Sequence, residues 1–410
     1  MSDIFDILVV GGGPGGLAAG IYGSRARLKT AIIEKGRPGG QTATTEELEN
    51  YPGFFEDSTG PALTAQFARH AERFGTSIIK GLVTDLELDG MVKKAITKDG
   101  RTYQARCVIL APGAEPRSLN IKGEGKLRGR GVSYCATCDA DFFEDLDVVV
   151  VGNGDAAIEE AMYLTKFANE VTIIVIHDEG ILDCNKASAE KAFKNPRIKW
   201  VWSSVLDEIV GEELVEGVNI KNIKTGEITY KEVNGVFFFV GTVPKTQFLQ
   251  GKVELDQQGY IPVNEKMETN VPGVYAAGDV CVKYLRQVVT AAADGAIAAV
   301  AAEKYLAEME AFQEQVLESE VPVLLAFWAP QIEESIAALG VVEKIAEEAK
   351  GALTVAKFDT YRNQKTSAAY QVTKIPTVLL FEKGQVKSRL KGAVTEASVK
   401  EFIKKVNIFL

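Results

Sequence analysis

The most regular segments of the chain share one pattern: a run of four or more apolar residues that ends in a glycine cluster. Ile7-Leu8-Val9-Val10 leads into Gly11-Gly12-Gly13-Pro14-Gly15-Gly16, and Val148-Val149-Val150-Val151 leads into Gly152-Asn153-Gly154-Asp155-Ala156-Ala157. Short apolar runs bounded by turn residues read as strands buried on both faces of a parallel sheet. Phe5 to Glu34 therefore reads strand, glycine turn, helix, strand, with Ala31-Ile32-Ile33 closing on Glu34. The pattern repeats from Val148 to Ile176. A third short strand lies within Gly273-Val274-Tyr275-Ala276-Ala277-Gly278-Asp279-Val280, followed by a helix from near Arg286-Gln287 to Tyr305. Its apolar stretch, Val288 to Ala302, is interrupted by Asp294 and is too short to span a bilayer. Beyond Leu306 the pattern changes. Ala307 to Glu320 is acidic and helix-prone, and reads as a linker or connecting helix. The strand Val321 to Phe327 then opens a compact α/β domain: helix, strand, helix, strand pair and terminal helix to Leu410.

A chain of 410 residues has room for two or three domains. Its net charge of −10 and lack of a basic stripe argue against a nucleic-acid partner. An acidic start (Asp3, Asp6) running straight into a strand does not resemble a secretory signal, so a cytoplasmic location without a membrane partner is expected. The five cysteines are Cys107, Cys135, Cys138, Cys184 and Cys281, and one pair is closely spaced. An odd count in a long chain is no secreted disulfide framework. With two distant histidines, His70 and His177, no metal site is expected. Redox chemistry is left as the reading of Cys135-Ala136-Thr137-Cys138, which an acid, Asp139, follows at once.

Gly11, Gly13 and Gly16 occupy the G-x-G-x-x-G positions. The first makes the tight turn, the second lets backbone approach a pyrophosphate, and the third lets helix and strand pack closely. The pyrophosphate then meets free N–H groups at a helix N-terminus, and Glu34 stands where a carboxylate accepts bonds from a ribose. The second unit has alanine at the third small position and ends in His177-Asp178-Glu179. Two carboxylates there would repel the 2′-phosphate of NADP. An acid could bind the ribose of NAD, or the unit could be an empty relic. A dithiol between two such units implies electrons moving between a bound cofactor and a disulfide. The Cys-x-x-Cys spacing lowers one thiol's pKa, and a neighbouring carboxylate can move the proton that exchange releases.

These pieces together resemble the low-molecular-weight thioredoxin reductase family over roughly Asp3 to Leu306. The motifs are Gly11 to Gly16, Pro38-Gly39-Gly40-Gln41, Glu49-Asn50-Tyr51-Pro52-Gly53, Cys135 to Asp139, Ala276-Ala277-Gly278-Asp279-Val280 and Arg286-Gln287. The resemblance implies an α/β fold with two Rossmann-like, three-layer nucleotide-binding domains. An FAD domain (1–114 and 244–306) is interrupted by an NAD(P)H-binding-like domain (115–243) that carries the dithiol. It implies a homodimer and electron flow from FAD to the disulfide to thioredoxin. It also puts Cys138 against the flavin, Cys135 as attacking thiol and Asp139 as acid/base. Gly11, Gly13, Pro14, Gly16, Glu34, Gly40, Gln41, Asn50, Ala111, Gly113, Gly278, Asp279, Arg286 and Gln287 would bind FAD. The small domain is expected to rotate about crossings near Gly113-Ala114 and Gly241 to Pro244, read as a pair of connecting strands.

The chain departs from the family pattern twice. NADPH-dependent members carry His-Arg-Arg and a further arginine; here stands His177-Asp178-Glu179-Gly180-Ile181-Leu182-Asp183. That loss resembles the ferredoxin-dependent flavin thioredoxin reductases, which makes reduced ferredoxin the expected donor. NADH- or NADPH-dependent reduction is the alternative, and a flavin-holding adaptor a second one. Lys122, Lys126, Arg128 and Arg130 read as a solvated loop or a patch for an acidic ferredoxin. The second departure is C-terminal. Residues 321–410, after a 307–320 linker, resemble thioredoxin through Phe327-Trp328-Ala329, Lys374-Ile375-Pro376-Thr377 and Gly384. Pro376 stands at the cis-proline position. Ile332-Glu333-Glu334-Ser335 replaces the dithiol and Ala326 the buried acid, so this domain is expected to be redox-silent and to serve docking or oligomer contacts. Cys107, Cys184 and Cys281 read as packing or bystander residues, His70 as a surface or cap residue, and Phe237-Phe238-Phe239 as a buried strand.

Overall fold

The computed structural model describes residues 4–44, 48, 50–54, 59–391 and 393–410. Asp3 and Glu49, both named above, lie outside the described residues. The chain forms two compact units, Met1–Ala299 and Val300–Leu410.

In the first unit the run Phe5–Val10 is a strand between two parallel neighbours, Thr30–Glu34 and Thr102–Leu110. Ser77–Lys80 continues the sheet beyond Thr30–Glu34. The long strand Thr102–Leu110 divides its far edge. Its first residues pair antiparallel with Lys93–Thr97, and its last three pair parallel with Val274–Ala276. Four parallel strands therefore end side by side at Val10, Glu34, Leu110 and Ala276. Ligands of open α/β sheets bind outside such carboxyl ends. Ile7, Leu8, Val9 and Ile109 are fully buried, as strands covered on both faces require.

The second glycine segment nucleates a parallel sheet of its own, in the order Ile198–Val201, Glu170–Ile174, Asp147–Val151, Gly235–Phe238 and Val132–Ser133. Phe237 and Phe238 are core residues of it. An antiparallel meander, Ser204–Val210, Gly217–Asn222 and Ile228–Glu232, follows. The chain enters and leaves this region through two strands, Ala114–Pro116 and Thr242–Pro244, which pair antiparallel with each other. Gly113 and Gly241, each one residue ahead of a crossing strand, have φ of +76° and +94°, a region in which side chains are strained.

In the second unit Val323–Trp328 pairs parallel with Thr354–Asp359 and antiparallel with Thr377–Glu382, which pairs with Gln385–Lys391. Helices Glu333–Glu348 and Glu396–Ile403 pack on this sheet, and the Ile375–Pro376 peptide is cis. Of the linker or connecting helix expected over 307–320, the structure forms the helix, and packs its end into a core. The helix Val288–Phe312 runs into a π-turn, Gln313–Leu317. Phe312 and Val316 are buried among Leu325, Phe327, Phe358 and Phe381. Glu308 Oε1 accepts the Thr366 N–H (2.8 Å) and hydroxyl (2.7 Å) within the same unit. Apolar burial makes the segment part of a core and not a free tether. No helix among the described residues is long and apolar enough to cross a membrane.

Candidate functional site

A cavity of about 470 Å³ opens where the four strand ends meet in the first unit. Gly11 and Gly13 line it from the first turn, Glu34 from the second strand and Ala111 and Gly113 from the third. Gly278 and Asp279 approach from the fourth strand, and Pro14, Gly40, Gln41 and Gln287 line it as well. Three expected ligands are not among the lining residues. Gly16 packs the first helix onto its strand instead, since a Cβ there would strike the Gly11 carbonyl oxygen. Arg286 lays its guanidinium over the Tyr260 ring at 4.3 Å and bonds the Asp279 carbonyl at 3.3 Å. Asn50 donates to Gln287 Oε1 at 3.1 Å and so reaches the cavity through another side chain.

The cavity wall suits a dinucleotide that carries a pyrophosphate and a polyol chain. Gly11 has φ +104°, and a Cβ on it would strike the Ala111 carbonyl oxygen, so backbone alone fits this turn. The helix Pro14–Arg25 starts at Gly13 with no side-chain cap, which leaves its positive end for a phosphate. Glu34 is held by the Gly12 N–H (2.7 Å) and the Gly36 N–H (2.9 Å), and its remaining lone pairs suit ribose hydroxyls. Asp279 Oδ1 is buried without a partner among the described residues. Burial raises the Asp279 pKa, with Lys283 and Arg286 opposing. An orphaned acceptor on a cavity wall is a polar group waiting for a donor. Together these features fit FAD.

Cys135 and Cys138 form a disulfide. The turn Ala136–Asp139 carries it directly after the strand Val132–Ser133. Gln287, on the cavity wall, puts Nε2 3.7 Å from Cys135 Sγ and 4.0 Å from Cys138 Sγ. One side chain thus touches both the cavity and the two sulfurs. Burial pushes the Asp139 pKa up, and the Ser133 hydroxyl, 2.5 Å from Oδ2, works against that rise. Glu160, which the sequence reading passed over, faces the Ala136 and Thr137 N–H groups; burial raises its pKa too, and its Oε2 is enclosed without a partner among the described residues. Glu160 carries no motif signal of its own, because the helix Asp155–Leu164 brings it to the disulfide, whereas Ser133 stands two residues ahead of Cys135 and its spacing was the available signal. Cys107 and Cys281 are buried, and burial pushes both thiols up to about 12, so neither is a nucleophile at neutral pH.

The second glycine turn is closed by the chain itself. Asp183 N–H donates to the Asn153 carbonyl (3.1 Å), and Asp183 Oδ2 faces Asn153 Nδ2 (3.1 Å) and His177 Nε2 (3.0 Å). Asp178, one of the two acids expected to repel a 2′-phosphate, is paired with Lys224 at 2.5 Å. In the cationic stretch ahead of the dithiol, Lys122 pairs with Glu208 (2.5 Å) and Lys126 with Glu212 (2.9 Å). Arg128 lies over the Tyr134 ring at 4.9 Å. In the C-terminal unit, Ser335 is fully buried where the resemblance put a thiol. Its Oγ accepts the Ala329 N–H at 3.1 Å and lies 2.7 Å from the Ile332 carbonyl oxygen, closing that turn on itself. No cysteine follows Cys281 in the chain.

Residues 5–295 match the family described as pyridine nucleotide-disulphide oxidoreductase, and residues 304–405 match thioredoxin. The chain is 50% identical over 312 residues to the thioredoxin reductase of Peptoclostridium acidaminophilum, covering 75% of this chain and 98% of that one. It is 37% identical over 438 residues to the bifunctional thioredoxin reductase/thioredoxin of Mycobacterium leprae, covering 97% of this chain and 95% of the relative. Among solved structures, the thioredoxin reductase of Streptococcus pyogenes superposes with a TM-score of 0.71 at 42% identity, over 75% of this chain and 99% of its own.

Proposed function

We propose that this chain, which belongs to the pyridine nucleotide-disulphide oxidoreductase family and within it to the thioredoxin reductases, passes electrons from NADH to the disulfide of thioredoxin. It is an FAD-dependent disulfide oxidoreductase. The observation that carries the reading is Gln287, which touches both sulfurs and lines the cavity that fits FAD. When bound, FAD supplies the two electrons that open the bridge. The residues of this chain do the rest. Gln287 holds the Cys135–Cys138 bridge beside the cavity. Cys135, once reduced, attacks the partner disulfide, and Cys138 resolves the mixed disulfide. Asp139 gives and takes the proton. For Cys135 to leave Gln287 and meet the partner, the small domain turns about the paired strands Ala114–Pro116 and Thr242–Pro244. A homodimer in the cytoplasm belongs to the same reading, and sedimentation tests the dimer.

The family match favours a nicotinamide donor. Two features of the site support that preference over ferredoxin, the donor expected from the sequence. Lys224 offsets the charge of Asp178, and Glu208 and Glu212 offset two lysines of the supposed ferredoxin patch. NADH is preferred to NADPH because acids stand where arginines would hold a 2′-phosphate. The closure of the second glycine turn by Asp183 keeps reduced ferredoxin as a second reading. The C-terminal unit has no thiol and is read as redox-silent, for docking or oligomer contacts.

The test mixes the flavin-loaded protein with NADH, NADPH or reduced ferredoxin in a stopped-flow instrument and follows flavin bleaching. The expected order is NADH well ahead of NADPH. Bleaching by ferredoxin alone would replace the first reading with the second. In Cys138→Ser, FAD stays bound and thioredoxin reduction is lost; reduction at the wild-type rate would defeat the dithiol mechanism.

A further inference from the structure

Just ahead of the dithiol turn, Ser133 is a polar side chain without a role in the reaction above. Ser133 is 5% exposed, at the end of a strand paired to Gly235–Phe238. Its Oγ lies 2.5 Å from Asp139 Oδ2 and 3.3 Å from the Cys135 carbonyl oxygen, and it accepts the Cys135 N–H at 3.1 Å. One hydroxyl proton thus has two acceptors within reach. When Asp139 is ionised, the serine donates to the carboxylate. When Asp139 is protonated, the carboxyl O–H donates to Oγ, and the serine proton turns to the Cys135 carbonyl. The hydroxyl can be satisfied in both states, at a place where burial leaves little room for water to substitute. The Cys135 N–H is bonded throughout, so the attacking residue and the acid are tied to one oxygen atom.

We propose that Ser133 is a positioning residue for thiol–disulfide exchange: it holds Asp139 in both protonation states and anchors Cys135 beside it. This rests on the reading of Asp139 as the acid and base. In the first step the Cys135 thiolate bonds to one sulfur of the partner disulfide, whose S–S bond breaks. Asp139 gives its proton to the departing thiolate, and Ser133 turns its O–H from the Cys135 carbonyl onto Oδ2. In the second step the Cys138 thiol gives its proton to Asp139 and bonds to Cys135 Sγ. The mixed disulfide breaks, and solvent protonates the second partner thiolate. Two electrons have moved from the pair to the partner, and the Cys135–Cys138 bond is restored.

Other groups bear on the same carboxyl. Burial is the largest influence and raises its pKa, Ser133 opposes it, and Asp141 adds to the rise. Glu160, from the helix Asp155–Leu164, faces the N–H groups of Ala136 and Thr137. Loss of the serine donor removes the opposing influence, so the Asp139 pKa should climb further.

The test uses the full-length, flavin-loaded protein, reduced chemically so that no donor step intrudes. The rate of reaction with oxidised thioredoxin is measured across pH. In the wild type it falls as pH rises through the Asp139 pKa, because the protonated acid is consumed. In Ser133→Ala this falling limb moves up by about one pH unit, the usual scale for one hydrogen bond to a charged group. Ser133→Thr, which restores the hydroxyl, returns the limb toward its wild-type place. Flavin absorbance shows that each variant is folded; if the alanine variant loses its flavin, Ser133→Gly carries the same expectation. Asp139→Asn separates the two layers of the argument. If Asp139→Asn abolishes the limb and the serine-less variants leave it unmoved, the role of Ser133 is refuted while that of Asp139 stands. If Asp139→Asn keeps the limb, the reading of Asp139 falls, and the proposal falls with it.

Discussion

Asp139 shows at the scale of one residue how a reactive group works against the fold that holds it. Burial raises its pKa, so the folded chain binds this proton more tightly than the unfolded chain does. The group's contribution to stability is full below its unfolded pKa and is lost as pH rises through the folded pKa. Asp139→Asn is therefore expected to melt above the wild type at pH 8 and close to it at pH 4, in thermal scans of the flavin-loaded protein. Its rate of thioredoxin reduction should fall by about 10²-fold or more, the scale of a lost general acid. A variant that melts lower at pH 8 than at pH 4, relative to wild type, would contradict this sign. The acid itself was legible from its place after the Cys-x-x-Cys spacing. Its burial was not, because the strand that encloses it pairs with Gly235–Phe238, a hundred residues away along the chain.

At the scale of an element, the helix Val288–Phe312 gives a case where local propensity and packing disagree. Gly295 lies in its Ala-rich stretch, where glycine costs about 1 kcal/mol relative to alanine. By propensity alone, Gly295→Ala should stabilise. In the structure a Cβ at this position would strike the Gly15 carbonyl oxygen and approach the Ala19 nitrogen to 2.9 Å. Both belong to the helix Pro14–Arg25, whose start lines the cofactor cavity. Two backbones are in contact, and neither side offers a flexible side chain that could give way. Gly295→Ala should instead cost about 1–3 kcal/mol in denaturant unfolding and lower the flavin retained after dialysis. A more stable variant with full flavin would show that the helices can part without harm. The crossing strands Ala114–Pro116 and Thr242–Pro244 are the opposite case: glycine and proline at both crossings read correctly as a connecting pair.

For the whole molecule, the boundary between the compact units decides how the chain can be shortened. The change of composition suggested a cut after Glu320, with a linker before it. Yet Phe312 and Val316 are 4% and 1% exposed within the core of the second unit. A chain ending at Glu320 would keep these side chains and lose the strands that cover them. A chain ending at Lys304 would lack them. The shorter chain is expected to retain FAD and thioredoxin reduction and to remain monodisperse by light scattering. The longer one should retain flavin but self-associate, since newly bared apolar surface seeks cover. Equal solution behaviour of the two would mean that the π-turn segment finds other cover.

The dithiol chemistry and the class of fold were legible in the sequence, but the electron donor it suggested, ferredoxin, was not the one that the family match favours. Strand, glycine turn and terminal acid are local patterns, and their physical requirements, a positive φ, close backbone approach and a helix end, involve residues near in the chain. The Cys-x-x-Cys pair with its acid is equally local, and so is the loss of thiols from the C-terminal unit. Tertiary structure alone decided which partners these groups meet. It brought Gln287 to both sulfurs, turned Arg286 onto Tyr260 and buried Phe312. Those contacts join residues with little sequence relation to one another, and they arise from sheet order and packing, which no short window of residues encodes.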